Sequence, residues 1–375
     1  MKSRAAVLSV MGATYPYAES RPLTIEEVDL APPGPGEVLI RIAAAGLCHS
    51  DLSVINGDRP RPMPMALGHE ASAVVVETGA GVQDLQAGDH VVVVFMPSCG
   101  HCQPCAGGRP ALCEPGAAAN GAGTLLSGAR RISHVGNTVN HHLGCSVFAD
   151  HAVVSRHSVV KIDRDIGLVE AALFGCAVLT GVGAVINTAR LQAGQSAAVV
   201  GLGGVGLAAV LGARAAGARQ IIAVDLSDDK LAQALELGAT HAVNSRSPDA
   251  VAQIREMSQG GVEFAFEFAG AIKALELAYA ITARGGTTVT AGLPPPGANM
   301  ALPAVNLVAE ERTVKGSYIG TCVPSRDIPR YIELYRQGRL PVDKLLSGRM
   351  RLEDVNQGFD LLHEGKAVRQ VLVFD

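Results

Sequence analysis

Four cysteines, Cys99, Cys102, Cys105 and Cys113, fall at the spacing C-x2-C-x2-C-x7-C, in a stretch broken by Pro97, Gly100, Pro104, Gly107 and Gly108. Four thiolates this close can enclose zinc tetrahedrally, at Zn–S distances of about 2.3 Å, and leave no position for a substrate; such a site is structural. Iron–sulfur clusters use a similar first triplet, but the bacterial form has three residues before its last cysteine and a proline after it. Here seven residues intervene and Glu114 follows, which favours zinc. His101, inside the cluster, reads as a solvated loop residue.

Four further cysteines are dispersed. Cys145 and Cys322 read as packed thiols. Cys48 lies in Gly-Leu-Cys-His-Ser-Asp, His69 in Gly-His-Glu, and Cys176 just before a run of small apolar residues. Each alone would be an ordinary core residue. Together, Cys48, His69 and Cys176 supply the two-cysteine, one-histidine set that leaves zinc a fourth position for water or substrate. An open zinc is a Lewis acid that polarises a carbonyl or lowers the pKa of a bound alcohol.

A third constellation is Ala-Ala-Val-Val-Gly-Leu-Gly-Gly-Val-Gly over residues 197–206. Gly201, Gly203 and Gly206 have the spacing Gly-x-Gly-x-x-Gly after a strand-like run. The first permits a tight turn, the second lets backbone approach a pyrophosphate, and the third lets a helix pack close to the strand. Residues 205–216 have the Ala/Leu content of that helix, whose N-terminal N–H groups would face phosphates. A second apolar run, 220–224, ends in Asp225, 19 residues after Gly206. A carboxylate there accepts the ribose hydroxyls of NAD and repels a 2′-phosphate. Residues 197–213 are also 17 uncharged residues, near the ~18 of a membrane span, but the glycines and Arg214 argue against one.

The elements that must carry these residues change character along the chain. Short strands at 5–10, 23–28 and 37–45, separated by turns such as Ala-Pro-Pro-Gly-Pro-Gly at 31–36, continue to about residue 160. From about 167 helices and apolar strands alternate: helices at 231–237, 250–257 and 274–281, strands at 264–268, 287–291 and 314–319. That alternation predicts a doubly wound parallel sheet. The tail adds helices at 328–337 and 352–364 and a strand at 370–374.

The 375 residues suggest two domains with sizeable cores. Hydrophobic content of 48%, charged content of 18% and a net charge of −4 give no basic excess for nucleic acid and no membrane character. The apolar run at 5–10 is too short for a signal-peptide core, so the expected location is cytoplasmic. Eight cysteines in such a chain are expected as metal thiolates rather than disulfides.

These motifs carry a resemblance. In residues 46–51, 68–70, the cysteine lobe 99–113, Gly201–Gly206 and the tail 368–374, the chain resembles the zinc-dependent alcohol dehydrogenases of the medium-chain dehydrogenase/reductase superfamily, over essentially its whole length. One departure is Ala73, where the family usually has glycine. The resemblance implies an α/β fold: a GroES-like β-rich catalytic domain from residues 1–177 and 321–375 with both zinc sites, and a Rossmann NAD-binding domain at 178–320. It implies two zinc ions per chain, the catalytic one on Cys48, His69 and Cys176 in the cleft between domains. Ser50 matches the hydroxyl that takes the alcohol proton, Asp51 the carboxylate that orients the histidine ligand, and Glu70 an acid near the zinc. His49 and Arg369 match pyrophosphate contacts. Thr180 and Val205 match contacts near the nicotinamide, Gly204 belongs to the phosphate loop, and Lys230 matches a residue beside the adenosine ribose. Substrate-wall positions include Phe95, Ala118, His142, Leu143, Leu293 and Ile319. The relay histidine that many members place five residues after the first zinc ligand is Ser53 here.

The expected function is reversible NAD-dependent oxidation of medium-chain or aromatic primary alcohols to aldehydes, with secondary alcohols left open as substrates, a small-molecule substrate and a homodimeric chain. The long segment 114–141 after the zinc lobe resembles that of the dimeric animal and plant-type members of the family, and this resemblance implies the dimer. Glutathione-dependent formaldehyde dehydrogenase of the class III type is the alternative, but residues 116–120 lack its glutathione-binding arginine. A zinc-free quinone reductase is a second alternative, opposed by the intact ligand set.

Overall fold

The computed structural model describes residues 1–374 and divides the chain into two compact units. Among the described residues the first comprises 1–176, 323–330 and 346–374, and the second 177–322 and 331–345.

The first unit is β-rich. Strands Lys2–Leu8, Leu23–Leu30, Ile132–His134, Asn137–His141 and Met65–Ala66 close a small barrel. A seven-stranded sheet runs Val159–Ile162, His90–Val93, Ala71–Thr78, Glu37–Gly46, Gln370–Val373 and Gly348–Met350, with His151–Ser155 also paired to Glu37–Gly46. The tail strand pairs antiparallel with Glu37–Gly46, Val371 opposite Gly46, so the C-terminus is stitched beside the segment leading to Cys48. The stretch 114–141 is not one long loop. It contains the helix Glu114–Ala122 and the hairpin Ile132–His134/Asn137–His141. Cys113 caps that helix by accepting the Gly116 N–H, with proline in its first turn, where no intrahelical N–H bond is lost.

The second unit is a six-stranded parallel sheet in the order His241–Asn244, Gln220–Asp225, Ser196–Val200, Val262–Glu267, Thr282–Thr290, Thr313–Gly316. Numbered along the chain this is 3-2-1-4-5-6, the Rossmann order, whose ligand crevice lies beyond the C-terminal ends of strands 1 and 4. Ala197, Ala198 and Val199 are fully buried, as expected where helices cover both faces of a parallel sheet. Residues 331–345, grouped with the first domain in the sequence reading, pack with this unit: Leu340 and Val342 are fully buried and Arg339 donates to Ala215 O. A π-helical turn at Ala184–Ala189 had no sequence signal. Among the described residues no single helix is long and apolar enough to cross a membrane.

Candidate functional site

Cys48, His69 and Cys176 converge although 128 positions separate the first from the last, and their ligand atoms all lie within 4.8 Å of one another. Each is set by a tight backbone arrangement. Cys48 caps the helix His49–Ile55, where its side chain and that of Asp51 form a reciprocal capping box. His69 follows Gly68, whose φ is +96° and where a Cβ would stand 2.4 Å from the Phe148 N. Cys176 follows Gly175, where a Cβ would stand 2.3 Å from the Val93 O.

Asp51 is fully buried, with Oδ1 3.0 Å from His69 Nδ1 and Oδ2 accepting the Cys48 N–H at 3.2 Å. Burial opposes its ionisation, but His69 and His142 beside it hold the carboxyl below its usual range. An ionised carboxylate only accepts, so His69 carries a hydrogen on Nδ1 and Nε2 is the nitrogen left for a metal. Burial opposes a charge on the ring, but Asp51 beside it raises the imidazole well above its usual range while no metal is bound. That Nε2 is buried and has no hydrogen-bond partner. The hydrogen bond from Cys176, then His69 and Arg369, draws the Cys48 thiol well below its ordinary range, while the same bond drives Cys176 well above it. Two buried thiols and an imidazole nitrogen without a hydrogen-bond partner, their ligand atoms within 4.8 Å of one another, form a donor set that a divalent cation can fill with release of protons. The donor set fits zinc with one open position.

Around this centre, Glu70 Oε2 lies 3.0 Å from Arg369 Nη1, both side chains buried, and that nitrogen also donates to Leu47 O at 2.9 Å. Ser50 is half-buried in the first turn of its helix, beside the exposed His49. Ser53 donates to His49 O at 2.8 Å, a backbone role. His142, expected as a wall residue, is buried with Nδ1 3.1 Å from Asp51 Oδ1.

The sulfurs of Cys99, Cys102, Cys105 and Cys113 also lie within 4.8 Å of one another, and all eight cysteines are free of disulfides. Backbone N–H groups point at them: Cys99 N and Gly116 N at Cys113 Sγ, 3.2 and 3.4 Å, and Cys102 N at Cys99 Sγ, 3.3 Å. The His101 N–H, first among several donors, lowers Cys99 to about 6, whereas burial pushes Cys105 up to about 12. Donors aimed at sulfur stabilise thiolates, and four such ligands fit a closed structural zinc. His101 itself is exposed.

In the second unit, Gly201 has φ +90°, and a Cβ on Gly206 would meet Gly201 O at 1.9 Å, so strand and helix touch there. A Cβ on Gly203 would meet nothing within 4 Å. The helix Gly204–Ala215 has no side-chain cap, leaving its first N–H groups, those of Gly204 and Val205 among them, for an anion. Asp225 ends its strand, with Oδ2 accepting Leu202 N–H at 2.7 Å and Oδ1 accepting Ser227 N–H at 3.0 Å. Lys230 and Thr180 are half-buried on the helices Asp228–Leu237 and Ala177–Gly183. The open space at the second glycine and the uncapped helix fit a dinucleotide phosphate.

Two residues escaped the sequence reading. Glu267, buried at the end of Val262–Glu267, accepts Gly270 N–H at 2.6 Å and the Thr290 hydroxyl at 2.7 Å, and burial raises its pKa. Its signal was an acid closing an apolar strand. His141 is buried beside His142 and accepts the Arg131 N–H at 3.0 Å; paired histidines ending a strand were the signal.

Comparisons with known proteins agree on the class. Residues 34–164 match the alcohol dehydrogenase GroES-like domain family and residues 204–337 the zinc-binding dehydrogenase family. The chain is 41% identical to a Mycobacterium tuberculosis protein provisionally named alcohol dehydrogenase D, covering 100% of each. It is 39% identical to an S-(hydroxymethyl)glutathione dehydrogenase of Synechocystis, covering 99% of this chain and 100% of that one. The benzyl alcohol dehydrogenase of Acinetobacter calcoaceticus superposes at a TM-score of 0.93 with 32% identity, covering 100% of both.

Proposed function

We propose, since this chain belongs to the zinc-dependent alcohol dehydrogenases of the medium-chain dehydrogenase/reductase superfamily, that it catalyses reversible NAD-linked oxidation of medium-chain or aromatic primary alcohols to aldehydes. The observation that carries this is the buried, unpartnered His69 Nε2 among two thiols, its other nitrogen held by Asp51. When bound, zinc supplies the Lewis acid and the nicotinamide the hydride acceptor. Cys48, His69 and Cys176 hold the open zinc, and the four-cysteine lobe holds a second. Asp51 orients His69. The Ser50 hydroxyl takes the alcohol proton and, with Ser53 unable to titrate near neutrality, passes it to water. The glycine turn and the helix after it hold the pyrophosphate, and Asp225 selects the unphosphorylated ribose.

The preference for longer or aromatic alcohols rests on the apolar wall residues: contact with them is worth about 0.8 kcal/mol per buried methylene. Zinc analysis of the purified chain, combined with NADH formation across ethanol, hexanol, benzyl alcohol and S-(hydroxymethyl)glutathione, tests the reading. Two zincs, and efficiency rising from ethanol to hexanol and benzyl alcohol, are expected. The highest efficiency with the glutathione adduct would transfer the assignment to the class III type.

The working form is a homodimer in this proposal. Thr313–Gly316 is an exposed edge strand, and Val305 and Val308 on the adjoining helix Ala304–Ala309 are 67% and 82% exposed. An unpaired edge with apolar neighbours is matched by the same surface of a second copy across a two-fold axis. Sedimentation giving a monomer or tetramer would overturn this.

A further inference from the structure

We propose that His142 is a positioning residue for the metal ligand His69, acting through Asp51; the inference rests on the three-ligand zinc reading above. His142 Nδ1 lies 3.1 Å from Asp51 Oδ1, the oxygen that His69 Nδ1 meets at 3.0 Å. No side chain of the three is more than 1% exposed. The two imidazoles meet edge to face, with centroids 5.5 Å apart at 87°. Asp51 only accepts, and His142 Nδ1 stands 3.1 Å from its Oδ1 with no hydrogen bond aligned to any group, so a small turn of the ring brings its N–H onto the carboxylate. One carboxylate thus ties three things together: the backbone of ligand Cys48 through Oδ2, and His69 and His142 through Oδ1.

The backbone independently holds His142 in place. Leu143 and Ser146 sit at φ +51° and +53°, left-handed conformations that L side chains adopt only where the surroundings over-determine them. Ser146 Oγ accepts the His142 N–H at 3.1 Å and donates to Ala66 O at 2.8 Å. Val147 N–H donates to Gly68 O and Phe148 N–H to Leu67 O. The segment bearing His142 is therefore sewn to residues 66–68, which deliver His69. An imidazole merely filling the core would not require this chain of contacts. A second ring nitrogen within reach of Asp51 steadies its rotamer and shares its charge, so the position of His69 depends on a residue that ligates nothing itself.

The test compares full-length His142→Phe, which keeps a ring without a donor, with His142→Asn, whose amide nitrogen stands near the Nδ1 position. Zinc transfer to a chromogenic chelator and the visible spectrum of cobalt-substituted protein are read. The Phe variant should release the three-ligand zinc about 10–100-fold faster and shift the cobalt–thiolate bands, with the four-cysteine zinc unchanged. The Asn variant should stay within a few-fold of the parent and keep its spectrum. A Phe variant indistinguishable from the parent, or an Asn variant as labile as Phe, would overturn the proposal. If Phe fails to fold, His142→Gln, whose amide reaches past the Nδ1 position, replaces it with the same expected contrast against Asn. A parent protein whose zinc content is unchanged by Cys176→Ser would remove the zinc reading itself, an outcome distinct from either of those, and the proposal with it.

Discussion

Asp51 Oδ1 and His69 Nδ1 stand 3.0 Å apart with neither side chain reaching solvent. The pair sets which imidazole nitrogen is left for a metal. Replacing the carboxylate by an amide keeps the shape and removes the charge. Asp51→Asn should lower zinc affinity at the three-ligand site and alcohol oxidation by about 10–100-fold while the fold persists. Equilibrium zinc titration and kcat/KM check this; unchanged zinc affinity would show that the carboxylate does not govern the ligand.

The two cysteine clusters should separate on substitution. Cys176→Ser should abolish turnover with little effect on thermal stability, because in the proposed function it removes a ligand of the open zinc. Cys102→Ser should chiefly lower the unfolding temperature of the lobe, because a closed four-thiolate site holds local structure. Differential scanning calorimetry beside activity assays distinguishes the two, and identical behaviour of both variants would refute separate roles.

NAD should be preferred over NADP. Asp225 presents a carboxylate at the strand end, already anchored by Leu202 N–H and Ser227 N–H, and its charge opposes a 2′-phosphate. Asp225→Gly should narrow the gap in kcat/KM between the two cofactors. A parent enzyme that prefers NADP would contradict the assignment.

Acid should weaken the first unit through His141. Burial lowers its pKa from the model-peptide value near 6.5 to about 4. The folded state thus binds fewer protons than the unfolded chain between those values. Stability from this residue is complete above about pH 6.5 and is lost as pH falls toward 4, by up to ~3 kcal/mol at 1.36 kcal/mol per pKa unit. His141→Gln keeps an acceptor for the Arg131 N–H without the titration. Its unfolding temperature should fall less between pH 6.5 and 4 than that of the parent, and parallel curves would exclude the effect.

Local features were legible because local geometry enforces them. The four cysteines of the lobe lie within one short loop, so their spacing alone brings the sulfurs together. Gly201 and Gly206 were legible for a similar reason: a φ of +90° and a 1.9 Å approach admit no side chain. Alternation of apolar strands and helices determined the parallel sheet, since strands buried on both faces must be apolar throughout. The expected helix boundaries fell within a few residues, as at 274–281 against Ile272–Ala280. The ligand types of Cys48, His69 and Cys176 could be chosen by chemistry, but their convergence was inferred only through family resemblance.

Tertiary packing decided the rest. Residues 114–141 carry too little periodic apolar pattern to reveal a helix and hairpin; the cap on Cys113 and the pairing of the hairpin supply that order. Residues 331–345 join the second unit because Leu340, Val342 and Leu345 find their burial there, a choice no local pattern encodes. His142 reads in sequence as one of a histidine pair after a strand, and its partner Asp51 is a helix residue far upstream. Only the folded chain, which excludes water from both, turns that distance in sequence into a 3.1 Å contact. Spacing thus determined the cysteines gathered in one loop and the glycines of one turn. Long-range burial decided which charged groups must meet because no solvent remains to satisfy them.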